Sequence, residues 1–183
     1  MYRPYWEYDM ANGTSKGIVL IGMPCAGKST IGVLLAKAMD MEFVDTDHSI
    51  ERILGSDLQT YVNNSGYQAL RAAEEKVLLK ESTYGKVIAT GGSAVYSEVG
   101  MAHLKAQATV IFLDLPKQQI EQRMTNFTTR GIARRPNQSL SSLFDERRTL
   151  YVRYADLQVD CGDKTIDQLL AELVTLSSEY LSR

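Results

Sequence analysis

The chain is predicted to adopt an α/β fold, a parallel sheet with helices on both faces, and three observations predict it. Strand-like and helix-like stretches alternate five times along its 183 residues, the order that builds a sheet covered on both sides. The loop Gly22-Met23-Pro24-Cys25-Ala26-Gly27-Lys28-Ser29-Thr30 sits between the first strand and the first helix, where a G-x-x-x-x-G-K-[ST] phosphate loop must lie. Three of the expected strands end in chemically pointed tips, and in such sheets ligands bind beyond the carboxyl ends of the strands.

Gly17-Ile18-Val19-Leu20-Ile21 is an apolar run that reads as a buried strand, and Thr30 to Met39 carries Ile31, Val33, Leu34, Leu35 and Ala38 at helical spacing. Met41-Glu42-Phe43-Val44 predicts a second strand ending in Asp45-Thr46-Asp47. Ser49–Leu54 and Asp57–Val62 read as short helical pieces broken at Gly55, and Tyr67–Glu81 as a firmer helix with Leu70, Ala73, Val77 and Leu78 on one side. A strand over Lys86–Thr90 runs into Gly91-Gly92-Ser93, followed by a helix over Ser97–Ala106. Thr109–Leu113 is the clearest buried strand, and Pro116 marks a stop beyond it. Helix returns over Lys117–Asn126, loop over Phe127–Gln138, and helix again over Ser139–Ala155. Asp156–Asp160 alternates polar and apolar residues, which predicts a less buried last strand. Thr165, with Gln168 three residues on, caps a final helix bearing Ile166, Leu169, Leu170, Leu173 and Leu176.

At this length the chain is one domain, residues 17–183, with a tail over residues 1–16 that crowds Tyr2, Tyr5, Trp6 and Tyr8 together. A hydrophobic fraction of 44% and a net charge of −2 describe an ordinary globular protein with no basic excess for nucleic acid. Two cysteines, Cys25 and Cys161, suit a reducing compartment, and no run reaches membrane-spanning length. The expected setting is the cytoplasm, with a monomer as the default state.

The phosphate loop makes nucleotide the first expected ligand. Backbone amides over Gly22, Cys25, Ala26, Gly27, Lys28, Ser29 and Thr30 would face the phosphates at a helix N-terminus. Lys28 would reach the β- and γ-phosphates, and the Ser29 hydroxyl would ligate Mg²⁺. Asp45 and Asp47 are two apart on an expected extended segment and so point the same way, one for the metal's water shell and one for a substrate hydroxyl. They also fit, less well, an acidic strand end that merely caps the next helix. Arg71 has Glu74 and Glu75 three and four residues later, within pairing reach; it fits a fork for a carboxylate ligand or a surface ion pair. Gly91-Gly92-Ser93 allows close backbone approach and free amides for a substrate oxygen, or is a plain turn. The long loop carrying Arg130, Arg134 and Arg135 suits a lid that excludes water from a kinase site, with Arg135 on the transferring phosphoryl group and Arg123 near the nucleotide.

The chain resembles the shikimate kinase family from about Ile18 to Asp160. The motifs fall in the family's order: GMPCAGKST, the acidic pair in FVDTDHSIE, the arginine in LRAAEEKVL, the turn in ATGGSAVYS, Arg135-Pro136, and ERRTLYVRYAD. That resemblance implies a three-layer P-loop kinase fold with a substrate-binding segment at about 48–80 and a lid at about 127–138. It implies ATP with Mg²⁺, Asp45 at the metal, Asp47 as candidate base on the acceptor hydroxyl, and Arg71, Gly91, Gly92 and Arg147 on an anionic acceptor, shikimate first. Ser93 stands where the family usually has a third glycine, beside the acceptor. Tyr67, Leu70 and Asn137-Gln138 replace the family's acidic residue, aromatic residue and two leucines, and the lid is several residues longer. A kinase for another polyol acid such as gluconate, or a nucleotide-binding regulatory protein without turnover, would share the phosphate loop.

Overall fold

The computed structural model describes residues 16–124 and 131–181. The aromatic tail and the first part of the expected lid, with Arg130, therefore lie outside the described residues. Five strands, β1 (Gly17–Ile21), β2 (Glu42–Asp45), β3 (Lys86–Ala89), β4 (Ala108–Asp114) and β5 (Leu157–Asp160), form one sheet in the order β2-β3-β1-β4-β5. Every pairing is parallel; Val19 of β1 sits level with Ile88 of β3 and Val110 of β4. The helices are α1 (Lys28–Ala38), α2 (Thr46–Leu54), α3 (Leu58–Leu78), α4 (Glu98–Gln107), α5 (Lys117–Arg123), α6 (Leu140–Tyr154) and α7 (Ile166–Leu181), with a 3₁₀ turn at Ala94–Tyr96.

Apolar runs with no polar alternation belong in strands covered on both faces. Accordingly Ile18, Val19, Leu20 and Ile21 are fully buried, and β4 is buried from Ala108 to Leu113. At the edge, β5 buries only Val159 fully, as its alternating sequence predicts. From β1 the chain runs out to the edge strand β2 and then travels back across the sheet, to β3 on one side of β1 and β4 on the other. That opens a crevice beyond the carboxyl end of β1.

Local chemistry sets the helix ends. Gly55 takes the left-handed conformation (φ 65°) that closes α2, and the Asp57 side chain accepts from the amide of Thr60 to start α3. Helix α3 holds two helical pieces joined at Gly66 (φ 83°), so the expected start near Tyr67 marks a kink within it. At α7 the capping box closes in both directions, Thr165 N to Gln168 Oε1 at 2.9 Å and Gln168 N to Thr165 Oγ1 at 3.2 Å. Described residues of α5 end at Arg123 with Met124 as cap, short of the expected Asn126.

Candidate active site

A cavity of about 780 Å³ opens at the carboxyl rim of the sheet. Gly27 stands there as the N-cap of helix α1, with φ 92° and no capping side chain. An added Cβ would meet nothing within 4 Å, so glycine is required by the backbone angle rather than by crowding. The uncapped first turn points its orphan amides at the cavity, the geometry that receives an anion. Lys28 starts the helix instead of preceding it, and its buried Nζ donates to the carbonyls of Gly22 and Met23, both at 2.8 Å. Burial pulls the Lys28 ammonium down to about 8, with Asp47 and Asp45 opposing the fall.

Asp45 closes β2 and caps α2: its Oδ1 accepts from Asp47 N at 3.0 Å while its Oδ2 accepts from Ser29 Oγ at 2.6 Å. The helix begins at Thr46, so the expected side-by-side projection from an extended segment does not occur. Asp45 and Asp47 reach the same cavity because one caps the turn that carries the other. Capping and site-building are thus one arrangement. Ser29 and Asp45 offer two hard oxygen ligands beside the anion cradle, a donor set that suits Mg²⁺, which keeps several waters and takes one or two protein ligands.

Opposite, α3 and α6 each bury a charge on an apolar stripe. Arg147 is 1% exposed among Leu143, Phe144 and Tyr151; Glu74 is 2% exposed among Leu70, Val77 and Leu78. Arg147 Nη2 donates to the carbonyl of Ala133 at 2.9 Å, and its Nε has no hydrogen-bond partner. Arg71 Nη2 donates to the same carbonyl at 3.3 Å. Its guanidinium lies 3.4 Å from the Tyr96 ring centre and 5.1 Å from that of Tyr67. The expected pairing of Arg71 with Glu74 and Glu75 is not what holds it, since both carboxylates are claimed by hydroxyls across the helix: Ser93 Oγ donates to Glu74, and Ser97 Oγ to Glu75 at 2.6 Å. Burial, reinforced by Asp47, pushes the Glu74 carboxyl up to about 7.

The glycine turn is committed as well. Gly91 N donates to the buried Thr46 Oγ1 at 3.0 Å, so its amide is not free as expected. Gly92 accepts from Tyr151 OH at 2.6 Å. Burial raises the Tyr151 phenol, keeping it a donor.

Of the residues expected to act, the cavity wall includes Cys25, Gly27, Lys28, Ser29, Thr30, Asp45, Asp47, Gly92, Ser93, Arg123 and Arg147. Gly22, Ala26, Gly91, Arg71 and Arg135 stand behind that wall or beside it. Arg135, expected over the phosphoryl group, is exposed and ion-paired with Glu146, which also accepts from Tyr96 OH and Gln138 Nε2. Glu74 in the cavity wall, and Thr46, Tyr96 and Glu146 bound to the residues around it, were not expected. Only Glu74 left a sequence signal, an acid set in an apolar stripe.

An anion cradle with a lysine, a two-oxygen metal corner and a separate arginine-lined wall in one cavity define a P-loop kinase with a small-molecule acceptor. Thymidylate kinase from Candida albicans shares the fold at a TM-score of 0.63 and 15% identity. More narrowly, the chain belongs to the shikimate kinase family, whose model matches residues 24–177. It is 38% identical over 149 residues to shikimate kinase of Aromatoleum aromaticum, covering 79% of this chain and 85% of that one. With the Aquifex aeolicus enzyme it shares 31% over 158 residues, covering 86% and 93%. The structure of shikimate kinase from Acinetobacter baumannii in complex with shikimate aligns at a TM-score of 0.81 and 26% identity, covering 93% of this chain and 97% of that one.

Proposed function

We propose that this chain transfers the γ-phosphoryl group of ATP to a hydroxyl of shikimate. The carrying observation is that the phosphate cradle, Asp47 and the buried Arg147 guanidinium line one cavity. Lys28 leaves the Gly22 and Met23 carbonyls for the phosphates, and the amides of Gly22, Cys25, Ala26, Gly27, Ser29 and Thr30 hold the triphosphate. Ser29 and Asp45 hold Mg²⁺, which when bound neutralises charge on the phosphate oxygens. Asp47 accepts a hydrogen bond from the reacting hydroxyl and orients it. Arg147 and Arg71 bind the acceptor carboxylate, with Gly91, Gly92 and Ser93 shaping the floor. Arg123 lies against the nucleotide, and Arg135 exchanges Glu146 for the phosphoryl group. Catalysis is positioning and charge neutralisation, with the 127–138 segment excluding water. The protein acts as a monomer in the cytoplasm; among the described residues no helix is long and apolar enough to cross a membrane.

ADP release measured against a panel of hydroxylated acids tests the assignment. Shikimate-dependent turnover is the expected result. Turnover with gluconate alone would move the acceptor to another polyol acid, and nucleotide binding with no acceptor-dependent turnover would make the chain a regulatory binder.

A further inference from the structure

Arg71 is held at a face and left open along part of its edge. A guanidinium meets oxygen acceptors through its in-plane N–H groups and aromatic rings through its flat faces, so the two kinds of partner do not compete. The Tyr96 ring centre lies 3.4 Å from the Arg71 guanidinium carbon, too close for an N–H to point at the ring, so the planes lie flat together; Tyr67 stands farther off at 5.1 Å. In the plane, Arg71 Nη2 donates to the Ala133 carbonyl at 3.3 Å, while Nε is buried without a hydrogen-bond partner. Arg147 stands 5.5 Å from the same ring, with Nη2 on the same carbonyl and its own Nε unpartnered. A buried N–H without an acceptor is costly, and an incoming oxygen would satisfy it.

Tyr96 itself is fixed at both ends. Its backbone closes the 3₁₀ turn that the buried Ala94 and Val95 anchor, with its amide on the Ser93 carbonyl at 3.0 Å. Its hydroxyl donates to Glu146 Oε1 at 2.7 Å, and Oε2 of that carboxylate accepts from Gln138 Nε2 at 2.8 Å and from Arg135. With Glu146 occupied in this way, what Arg71 meets at 3.4 Å is a neutral π face.

We propose that Tyr96 is a positioning residue for the acceptor: its ring, pinned through its hydroxyl to Glu146, holds the Arg71 guanidinium flat and leaves the unclaimed Nε edge to the acceptor carboxylate. Two cations drawn to one carbonyl repel each other, and a full countercharge would hold them only by neutralising the site. The negative face of an aromatic ring attracts a guanidinium without cancelling its charge. It also restricts rotamers that Arg71 would otherwise lose on binding. The inference rests on the acceptor reading above and adds to it how Arg71 is kept ready.

Steady-state kinetics of the full chain with shikimate and ATP, for wild type, Tyr96→Leu, Tyr96→Phe, Arg71→Met and the double variant of Tyr96→Leu with Arg71→Met, supply the test. Tyr96→Leu should raise KM for shikimate about tenfold, within the range of a partly desolvated cation–π contact, with kcat and KM for ATP within about twofold of wild type. Tyr96→Phe keeps the ring and should bring KM back to within about threefold of wild type, the remainder being the lost hydroxyl bond. On top of Arg71→Met, Tyr96→Leu should change kcat/KM for shikimate by less than about twofold, since a residue that acts through Arg71 has nothing left to act on. A wild-type KM in Tyr96→Leu, a parallel loss of kcat and ATP affinity, or an undiminished tenfold loss on top of Arg71→Met overturns the proposal. A readout independent of turnover is the Arg71 Nε–H resonance in isotopically labelled, acceptor-free protein, assigned by its loss in Arg71→Met. Ring current from Tyr96 should move it upfield in wild type and Tyr96→Phe, and Tyr96→Leu should return it to the ordinary arginine position. An upfield resonance in a protein that does not turn over shikimate defeats the acceptor assignment alone; an ordinary position in wild type defeats the positioning role, whatever the turnover.

Discussion

The two ends of the cavity are built in opposite ways. The phosphate end comes from one continuous stretch, Gly22 to Thr30, joined to the acidic corner by the hydrogen bond from Ser29 to Asp45. The acceptor end draws Asp47 from α2, Glu74 from α3, Ser93 from the turn after β3 and Arg147 from α6. Local construction lets a backbone conformation do the binding, so side chains there are few. Assembly from distant elements instead buries charge, and each buried charge needs partners recruited from other parts of the chain.

The contrast can be broken most directly at the phosphate end. Lys28→Met should lower kcat by roughly 10³-fold, in the range seen when a preorganised donor to a transition state is lost, with circular dichroism unchanged. Full activity in that variant would sink the phosphate-loop assignment. At the other end Arg147→Met should cut kcat/KM for the acceptor by roughly a hundredfold while nucleotide affinity, read by calorimetry, stays put. Its melting temperature should hold or rise, since a buried cation with an unpartnered Nε gives way to an apolar chain.

Glu74 sharpens the comparison through pH. It holds its proton more tightly folded than unfolded, so the folded state loses stability as pH rises from the ordinary 4.5 to about 7 and loses no more from this group above that. The loss is on the order of 3 kcal/mol at 1.36 kcal/mol per pH unit, and urea titrations of Glu74→Gln should show it removed. Gly91→Ala should cost about 1–3 kcal/mol, because its methyl would displace two carboxyl oxygens in a packed site; a melting curve matching wild type would contradict that crowding. The smallest effect belongs far from both ends, where Thr165→Ala should cost about 1 kcal/mol by opening the α7 capping box and leave kcat untouched.

Legibility followed the same divide. Features decided within a few residues were readable: the β5 edge from its alternation, the end of α2 from Gly55, the start of α7 from Thr165 and Gln168, and the phosphate loop from its glycines and lysine. The pairing of Arg71 with Glu74 and Glu75 was misread because a spacing of three or four residues only permits a pair, and Ser93, Ser97 and Tyr96 arrive from outside the helix to claim these groups. Asp45 and Asp47 were placed together for the wrong reason, since an early helix start replaced the extended segment. Arg147 was placed by motif resemblance, but its near-complete burial follows from a stripe shared with Leu143, Phe144 and Tyr151 that helical spacing alone would have shown.

The carbonyl of Ala133 receives both Arg71 and Arg147, so the two cations that the proposed function reserves for the acceptor, a visitor, are kept company by the chain itself. Because this placeholder is main chain, no side-chain substitution deletes it. On the proposed function, altering the path of the backbone through residues 131–138 would tune its hold on the arginines, and the course of that loop would set how readily the visitor is admitted.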